Sequence, residues 1–459
     1  MSGYKKLKKR KMKTKVKKNL NRREFLSLSA LGLTGLTILP SFVINGTRIP
    51  PSDRVVMGFI GLGRQGLSDF RAFSSVPGVQ VAACCDVDSM KNTRFKNRVL
   101  EWKKDAGLPL RIDAYEHYGR MLERTDIDAI EVCTPDHWHA LQTIHACEAG
   151  KDVYVQKPLA FTIKEGYEMV KAVRRNNRIL QVGSQQRSQD TFLKAIQMVR
   201  EGAIGHIVHI HAKVGDPPTP FDLPEHSVPD NLNFNLWLGP LNDPAIHYHP
   251  DICPPISLDP PQNETLWGAW RWYRETGNGY TADWGAHMFD IAQVAIGMDG
   301  LGASEVIPKG YLGQEWMTFK YDNGIVMTES PISEDNPNSR GIRFVGTDGW
   351  IVVTRGSLNC SDPSLIPQDI EDQSGADALQ FEISSPHMQD FIDAVRSRKD
   401  PVAPVEAGCS TNTLCNLGNI ATELGRPVRW NPATLRFVDD TEAASHRLTH
   451  YQYRNPYKL

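Results

Sequence analysis

The chain has 459 residues, 23% charged and 40% hydrophobic, the composition of a globular protein long enough for two domains. Its net charge of −1 conceals an asymmetry: residues 1–23 carry twelve Lys or Arg and no acid, leaving 40 basic against 53 acidic residues elsewhere, a net of −13. An acidic body argues against nucleic acid as the partner.

In chain order, the basic head leads to Arg22-Arg23-Glu24-Phe25-Leu26 and an apolar run to about Val43. A charged start, a twin arginine and a modest apolar stretch read as a twin-arginine export signal over residues 1–50. The expected partner is then the twin-arginine translocation machinery, and the expected location is periplasmic or membrane-associated. The alternative is a basic amphipathic helix on a cytoplasmic protein. Ser, Thr and Gly in the run make it a poor permanent span. The eight cysteines are scattered and do not form a disulfide framework; one extracytoplasmic disulfide remains open.

Residues 51–177 read as a Rossmann domain. Arg54–Gly66 predicts a buried strand, a glycine turn and the start of a helix. Gly61, Gly63 and Gly66 fit G-x-G-x-x-G: the first for the tight turn, the second for close approach of a pyrophosphate, the third for helix–strand packing. Leu62, Arg64 and Gln65 complete the phosphate loop, whose free N–H groups favour an anion. A second apolar run, Val79–Cys85, ends at Asp86, placed to bond both hydroxyls of an adenosine ribose and to repel a 2′-phosphate. NAD is the expected cofactor. A helix over Asp88–Ala106, a strand over Ala114–Tyr118 and a strand over Ile127–Cys133 follow. Thr134, Pro135, His137 and His139 fall at that last strand's carboxyl end, where open α/β sheets bind ligands. Strand Asp152–Val155 ends in Gln156-Lys157-Pro158, and Lys157 is placed to point into the cofactor cleft.

The set Gly61-Leu62-Gly63, Asp86, Cys133-Thr134-Pro135 with His137 and His139, and Lys157-Pro158 resembles the glucose–fructose oxidoreductase and inositol dehydrogenase family, written Gfo/Idh/MocA. That family usually has Glu-Lys-Pro; this chain has Gln156. The resemblance runs over nearly all of the chain after residue 53. Val182–Arg187 and the tail Arg426–Leu459 look like the family's exported bacterial branch.

Residues 178–459 read as an α+β substrate-binding and oligomerisation domain. Helix Phe192–Glu201 and strand Ile207–Val214 open it. His209 and His211, and again His247 and His249, have a metal-like spacing but lack companion ligands, so no metal is expected. Residues 216–261 hold twelve prolines, which forbids long helices or ladders and predicts an irregular excursion around a substrate mouth or a passive loop. Trp237, Trp267, Trp270, Trp272 and Tyr273 offer faces for stacking on a sugar ring. Asp283 and His287 are four apart, on one face of a predicted helix running to Gly297. The resemblance implies an Asp-x-x-x-His opposite the lysine at this place, making Lys157, Asp283 and His287 the expected catalytic residues, with Gln186, Arg187, Trp270 and Tyr280 beside the substrate. Later strands with Asn323-Gly324 and Asp348-Gly349 turns predict a large, mostly antiparallel sheet. By resemblance, this sheet backs the cleft and pairs protomers in a homo-oligomer.

The expected function is hydride transfer between a sugar or glycoside carbinol carbon and tightly held NAD. His287 would take the hydroxyl proton, Lys157 would bond the oxygen, and Asp283 would orient the histidine or hold a neighbouring hydroxyl. An NAD-dependent glycosidase working through transient ring oxidation, and a non-catalytic nucleotide or sugar sensor, are the rivals.

Overall fold

A computed structural model describes residues 43–44, 47–48, 50, 53–366 and 385–459. The twin arginine and the export-signal run lie outside them. The chain divides into two units, the first ending at Arg54. Within it, Val43–Ile44 pairs antiparallel with Thr47–Arg48.

Six parallel strands form the first sheet: β1 (Val55–Ile60), β2 (Val79–Cys85), β3 (Asp113–Tyr115), β4 (Ala129–Val132), β5 (Asp152–Val155) and β6 (Leu180–Val182), in the order 3-2-1-4-5-6. That order belongs to the doubly wound dinucleotide-binding fold. Strands β4 and β5 are buried along their whole length, because helices cover both faces. The crossovers are α1 (Arg64–Ser74), α2 (Ser89–Asp105), α3 (Tyr118–Leu122), α4 (Asp136–Glu148) and α5 (Ile163–Arg175). Helix α5 starts with a capping box in which Thr162 and Glu165 satisfy each other's backbone N–H. The sheet includes β6, so it runs past the boundary expected at residue 177.

The second sheet has nine strands. Its elements are α6 (Asp190–Arg200), β7 (Ile207–Lys213), α7 (Phe234–Leu238), α8 (Gly279–Asp283), α9 (Gly285–Ala295), β8 (Glu305–Ile307), β9 (Thr318–Lys320), β10 (Val326–Thr328), β11 (Gly341–Gly346), β12 (Trp350–Val353), β13 (Leu358–Cys360), α10 (Ser385–Ser397), α11 (Val405–Leu424), β14 (Val428–Asn431) and β15 (Arg436–Phe437). The spatial order is β13-β12-β11-β7-β10-β9-β8-β14-β15. One pairing, β7 with β10, is parallel; the rest are antiparallel. One face buries Ile210, Phe319, Phe344 and Ile351 against Phe192 of α6, Phe289 of α9 and Leu417 of α11. The opposite face carries His209, His211, Arg343 and Trp350.

Two late segments return to the first sheet. Met388, Phe391 and Ile392 of α10 pack with Phe59 and Phe73, and Phe391 meets Phe73 edge-on at 6.1 Å. Tyr453 and Tyr457 of the tail pack on the α4–α5 side. The N-terminal layer is therefore completed by residues from the far end of the chain.

The proline-rich excursion is built rather than passive. Phe161, Leu232, Trp237, Tyr248 and Ile252 give it a core of its own. Backbone bonds Ser89 N to Asn231 O and Asn233 N to Val87 O stitch it to the entrance of α2. All eight cysteines are free thiols. Among the described residues, no helix is long and apolar enough to cross a membrane.

Candidate active site

The cleft between the carboxyl ends of the first sheet and the second domain encloses about 420 Å³. Its outer half fits a dinucleotide. Gly61 turns the chain at φ +86°, and a Cβ there would lie 2.4 Å from the Cys133 carbonyl oxygen. Gly63 has nothing within 4 Å on its side-chain side, so backbone faces open space. Gly66 holds α1 against the turn, since a Cβ would meet Gly61 O at 2.3 Å. Helix α1 has no side-chain cap, which leaves its first N–H groups directed at the cleft for a pyrophosphate. Asp86 accepts bonds from Leu62 N (2.7 Å) and Asp88 N (2.9 Å), which fix its carboxylate at the cleft edge. Two cations that the Val87-Asp88 neighbourhood does not reveal, Lys91 and Arg94, arrive from α2. Lys91 pairs with Asp88 at 3.8 Å, and Arg94 donates to Leu62 O. Arg64 crosses to the excursion, donating to Thr265 O at 2.8 Å and lying 4.7 Å over Trp267.

The inner half gathers charged groups from distant segments. Lys157 Nζ donates to Asp283 Oδ1 (2.7 Å) and to the Asp283 carbonyl (3.1 Å). Arg271 Nε stands 3.8 Å from the same Oδ1. Burial pushes the Asp283 carboxyl up, but the Lys157 and Arg271 charges outweigh it and hold it below its ordinary range. Asp136, at the start of α4, is pushed by burial to about 7, against the pull of Arg271. Burial, then the Lys157 and Arg355 charges, keep His287 well below the usual imidazole value, so it is neutral at working pH.

The helix expected to run unbroken through Asp283 and His287 is two helices, α8 and α9, meeting at Trp284. Both residues still line the cleft. The expected Asp283–His287 pairing is replaced by Asp283–Lys157. The partner of His287 is Gln186: in the amide orientation that satisfies both neighbours, Gln186 Nε2 donates to His287 Nδ1, and Oε1 accepts from Arg355 Nε (3.0 Å) and Nη2 (3.2 Å). Arginine can only donate, so it fixes the amide, and the amide fixes the ring. The neutral ring proton then sits on Nε2. His287 therefore offers a donor at Nε2, where the sequence reading expects a proton acceptor.

Five expected site residues do not line the cleft: Leu62 is buried, Gly66 packs on Gly61, and His137, His139 and Arg187 are taken up by protein partners. His137 bonds Trp237 O at 2.9 Å and stacks edge-on with that indole; burial lowers it to about 4. His139 stands between Pro158 O and Thr134 O, both at 2.8 Å, and burial lowers it likewise to about 4. Both histidines brace the turn behind the cofactor half. Arg187 is 6% exposed and forks onto Asp290 (2.7 Å) and Asp299 (2.9 Å), beneath α9. Gln156 lines the cleft, but its Nε2 donates backwards to Asp69 at 2.6 Å. Thr134 and Pro135 line the cleft; Thr134 Oγ1 donates to Gln142 at 2.7 Å. The metal-like histidines are satisfied by protein: His209 by Thr328, His211 by Ser330, His247 by Leu223 O. Nothing in the sequence marks Arg271, Arg340 or Arg355, since isolated arginines in loops and short turns look like solvated ones.

A 3-2-1-4-5-6 sheet, a glycine turn opening α1 and an acid closing β2 define a dinucleotide-binding domain. Residues 55–184 match the NAD-binding Rossmann fold of the Gfo/Idh/MocA oxidoreductase family, and residues 362–459 match that family's C-terminal alpha/beta domain. The chain belongs to the Gfo/Idh/MocA family, and its N-terminal domain is the NAD-binding one. A glycosyl hydrolase family 109 protein of Shewanella pealeana is 29% identical over 210 residues, 41% of this chain and 45% of that one. A second such protein, from another Shewanella, is 30% identical over 170 residues, 36% of each chain. The chain thus spans less than half the length of these curated relatives. Among solved structures, an aldose–aldose oxidoreductase of Caulobacter crescentus complexed with glycerol superposes with a TM-score of 0.55 at 18% identity, over 82% of this chain and 99% of that one. Levoglucosan dehydrogenase with NADH and levoglucosan gives 0.56 at 18% over the same shares. Myo-inositol 2-dehydrogenase of Lactobacillus plantarum gives 0.52 at 21%, again over 82% and 99%. At these identities the likeness is one of fold.

Proposed function

We propose that the protein moves hydride between a carbinol carbon of a sugar or glycoside and NAD. The observation that carries this reading is the convergence of Lys157, Asp283, His287 and Gln186 at the inner end of a nucleotide-sized cleft. Bound NAD supplies the hydride acceptor or donor. Lys157, held by Asp283, meets the substrate oxygen and carries its proton. His287 presents Nε2–H to the same oxygen and stabilises the charge that develops there. The indole faces of Trp270 and Trp272 and the ring of Tyr280 flank the site and suit a sugar ring. Asp86 favours NAD over NADP by repelling a 2′-phosphate; tighter NADP in a calorimetric titration would contradict that preference. A panel of sugars and glycosides mixed with purified protein should raise the reduced-nicotinamide absorbance for at least one member. A flat response across the panel, with NAD bound, would favour a sensor.

The names of the curated relatives favour a second reading, an NAD-dependent glycosidase that oxidises a ring hydroxyl, eliminates the aglycone and reduces the product. Aglycone release without net NADH would identify it.

We further propose export through the twin-arginine route, supported by Arg22 and Arg23. Homo-oligomerisation through the second sheet is supported by Val326, Val345, Trp350 and Val352, half-buried on the face away from the core. Sedimentation of a monomer at micromolar concentration would contradict the latter.

A further inference from the structure

Strands β11 and β12 pair antiparallel, Ile342 opposite Val353 and Phe344 opposite Ile351. Arg340 and Arg355 each lie two residues beyond the end of this ladder, Arg340 before β11 and Arg355 in the turn after β12. Both guanidinium groups crowd one ring: Arg340 lies 4.6 Å and Arg355 4.5 Å from the centre of the Trp284 indole. Arg340 additionally sits 4.6 Å over Tyr280. Its Nε donates to Val214 O at 3.1 Å, and it enters no ion pair among the described residues. Both arginines line the inner half of the cleft, beside His287.

The charge balance there is one-sided. Lys157, Arg271, Arg340 and Arg355 face Asp283 and Asp136. Asp283 is already shared by Lys157 and Arg271. Burial raises the Asp136 carboxyl to about 7. The cleft wall therefore concentrates positive charge at a place where solvent is partly excluded, without a protein carboxylate to answer Arg340.

We propose that Arg340, with Arg355 beside it, forms a subsite for an anionic group on the substrate, so that the sugar is an acidic one. The shared chemistry is a planar or tetrahedral oxyanion, either the carboxylate of a uronic acid or a sulfate or phosphate ester. The inference rests on the reading of this cleft as a sugar site. Arginine's fork binds such oxyanions through paired N–H bonds. The stack over Trp284 holds the fork ready, and the indole is an apolar floor under the ring carbon next to the anion.

The test uses the NAD-loaded protein and matched pairs: methyl glucuronide against methyl glucoside, methyl galacturonide against methyl galactoside, and galactose 6-sulfate against galactose. Binding is read by calorimetry, and reduction of bound NAD by absorbance. At least one anionic member should bind about ten- to a hundredfold more tightly than its neutral partner, the range of one or two charged hydrogen bonds. The uronides and the sulfate separate the two sources of the anion. Arg340→Met, and Arg340→Gln as a second variant, should collapse that ratio toward one. Equal binding within every pair by the wild-type protein overturns the subsite, whatever the variants do. A preference that survives both substitutions overturns the assignment to Arg340. Preferential binding of the anionic sugar without any NAD reduction leaves the subsite standing and removes the hydride-transfer reading instead.

Discussion

At the scale of single residues, the account turns on which group carries the proton. Gln186 takes Nδ1 of His287, so the ring offers Nε2–H, and the proposal assigns the substrate's proton to Lys157, which Asp283 holds in place. Lys157→Met and His287→Ala should each lower single-turnover reduction of bound NAD by about two to four powers of ten, with cofactor retained. The double variant should be little worse than the worse single one, because the two act on one oxygen. Wild-type rates in either variant would remove that residue from the mechanism. Since burial and the neighbouring cations keep His287 neutral, the single-turnover rate should have no imidazole inflection between about pH 6 and 8. Gln156 gives a second residue-scale test. The sequence suggests that restoring the family's Glu would retune Lys157. The structure instead turns this side chain onto Asp69, which burial raises to about 6 and which adjoins the buried Glu131. Gln156→Glu should therefore cost about 1–3 kcal/mol of stability. A buried acid with a raised folded pKa binds more protons folded than unfolded, so stability falls as pH rises from its ordinary value through the folded one. The melting-temperature deficit should be larger at pH 8 than at pH 5. A deficit that shrinks toward pH 8 would contradict this placement.

At the scale of elements, the excursion over residues 216–261, continued by the segment to residue 275, decides how the cofactor is held. It is tied to the phosphate loop by the Arg64 bond to Thr265 O and by the Arg64–Trp267 stack. Arg98 adds a 3.6 Å pair to Glu264. A strap fastened this way must open before a dinucleotide leaves. Arg64→Met should raise the NAD release rate by about two- to thirtyfold, the worth of one cation–π contact, measured by chasing labelled NAD with unlabelled. An unchanged rate would mean that the strap does not govern exit. The elements that position the nucleotide were legible in the sequence because their signals are local. Gly61, Gly63, Gly66 and Asp86 need particular backbone and chemistry at fixed spacing, and β1 to β6 follow apolar runs. Lys157, Asp283 and His287 were singled out by the family resemblance, and the structure brings all three to the cleft. His137, His139 and Arg187 misled because polar residues beside a motif read as ligands, whereas burial with a carbonyl or carboxylate partner consumed them. Arg340 and Arg355 were invisible, since their meeting depends on strand register across a hairpin. The return of α10 to Phe59 and Phe73 was hidden too, because contacts between residues 300 positions apart leave no periodicity to read.

At the scale of the whole molecule, two layers from opposite ends of the chain close one cleft, and export remains the proposal that reaches beyond it. Replacing Arg22 and Arg23 by Lys should retain the folded, NAD-loaded protein in the cytoplasm; unchanged delivery would point to another route. The central claim is that a carbinol hydrogen passes to NAD inside this cleft. It is tested most directly with the substrate from the sugar panel, deuterated at each carbinol carbon in turn, in a single turnover of the NAD-loaded protein quenched and read by mass spectrometry. The account predicts one position whose deuterium appears in the nucleotide, raising its mass by about one unit over the unlabelled control, and loss of that transfer in Lys157→Met. A nucleotide that stays unlabelled while the substrate is consumed would contradict it.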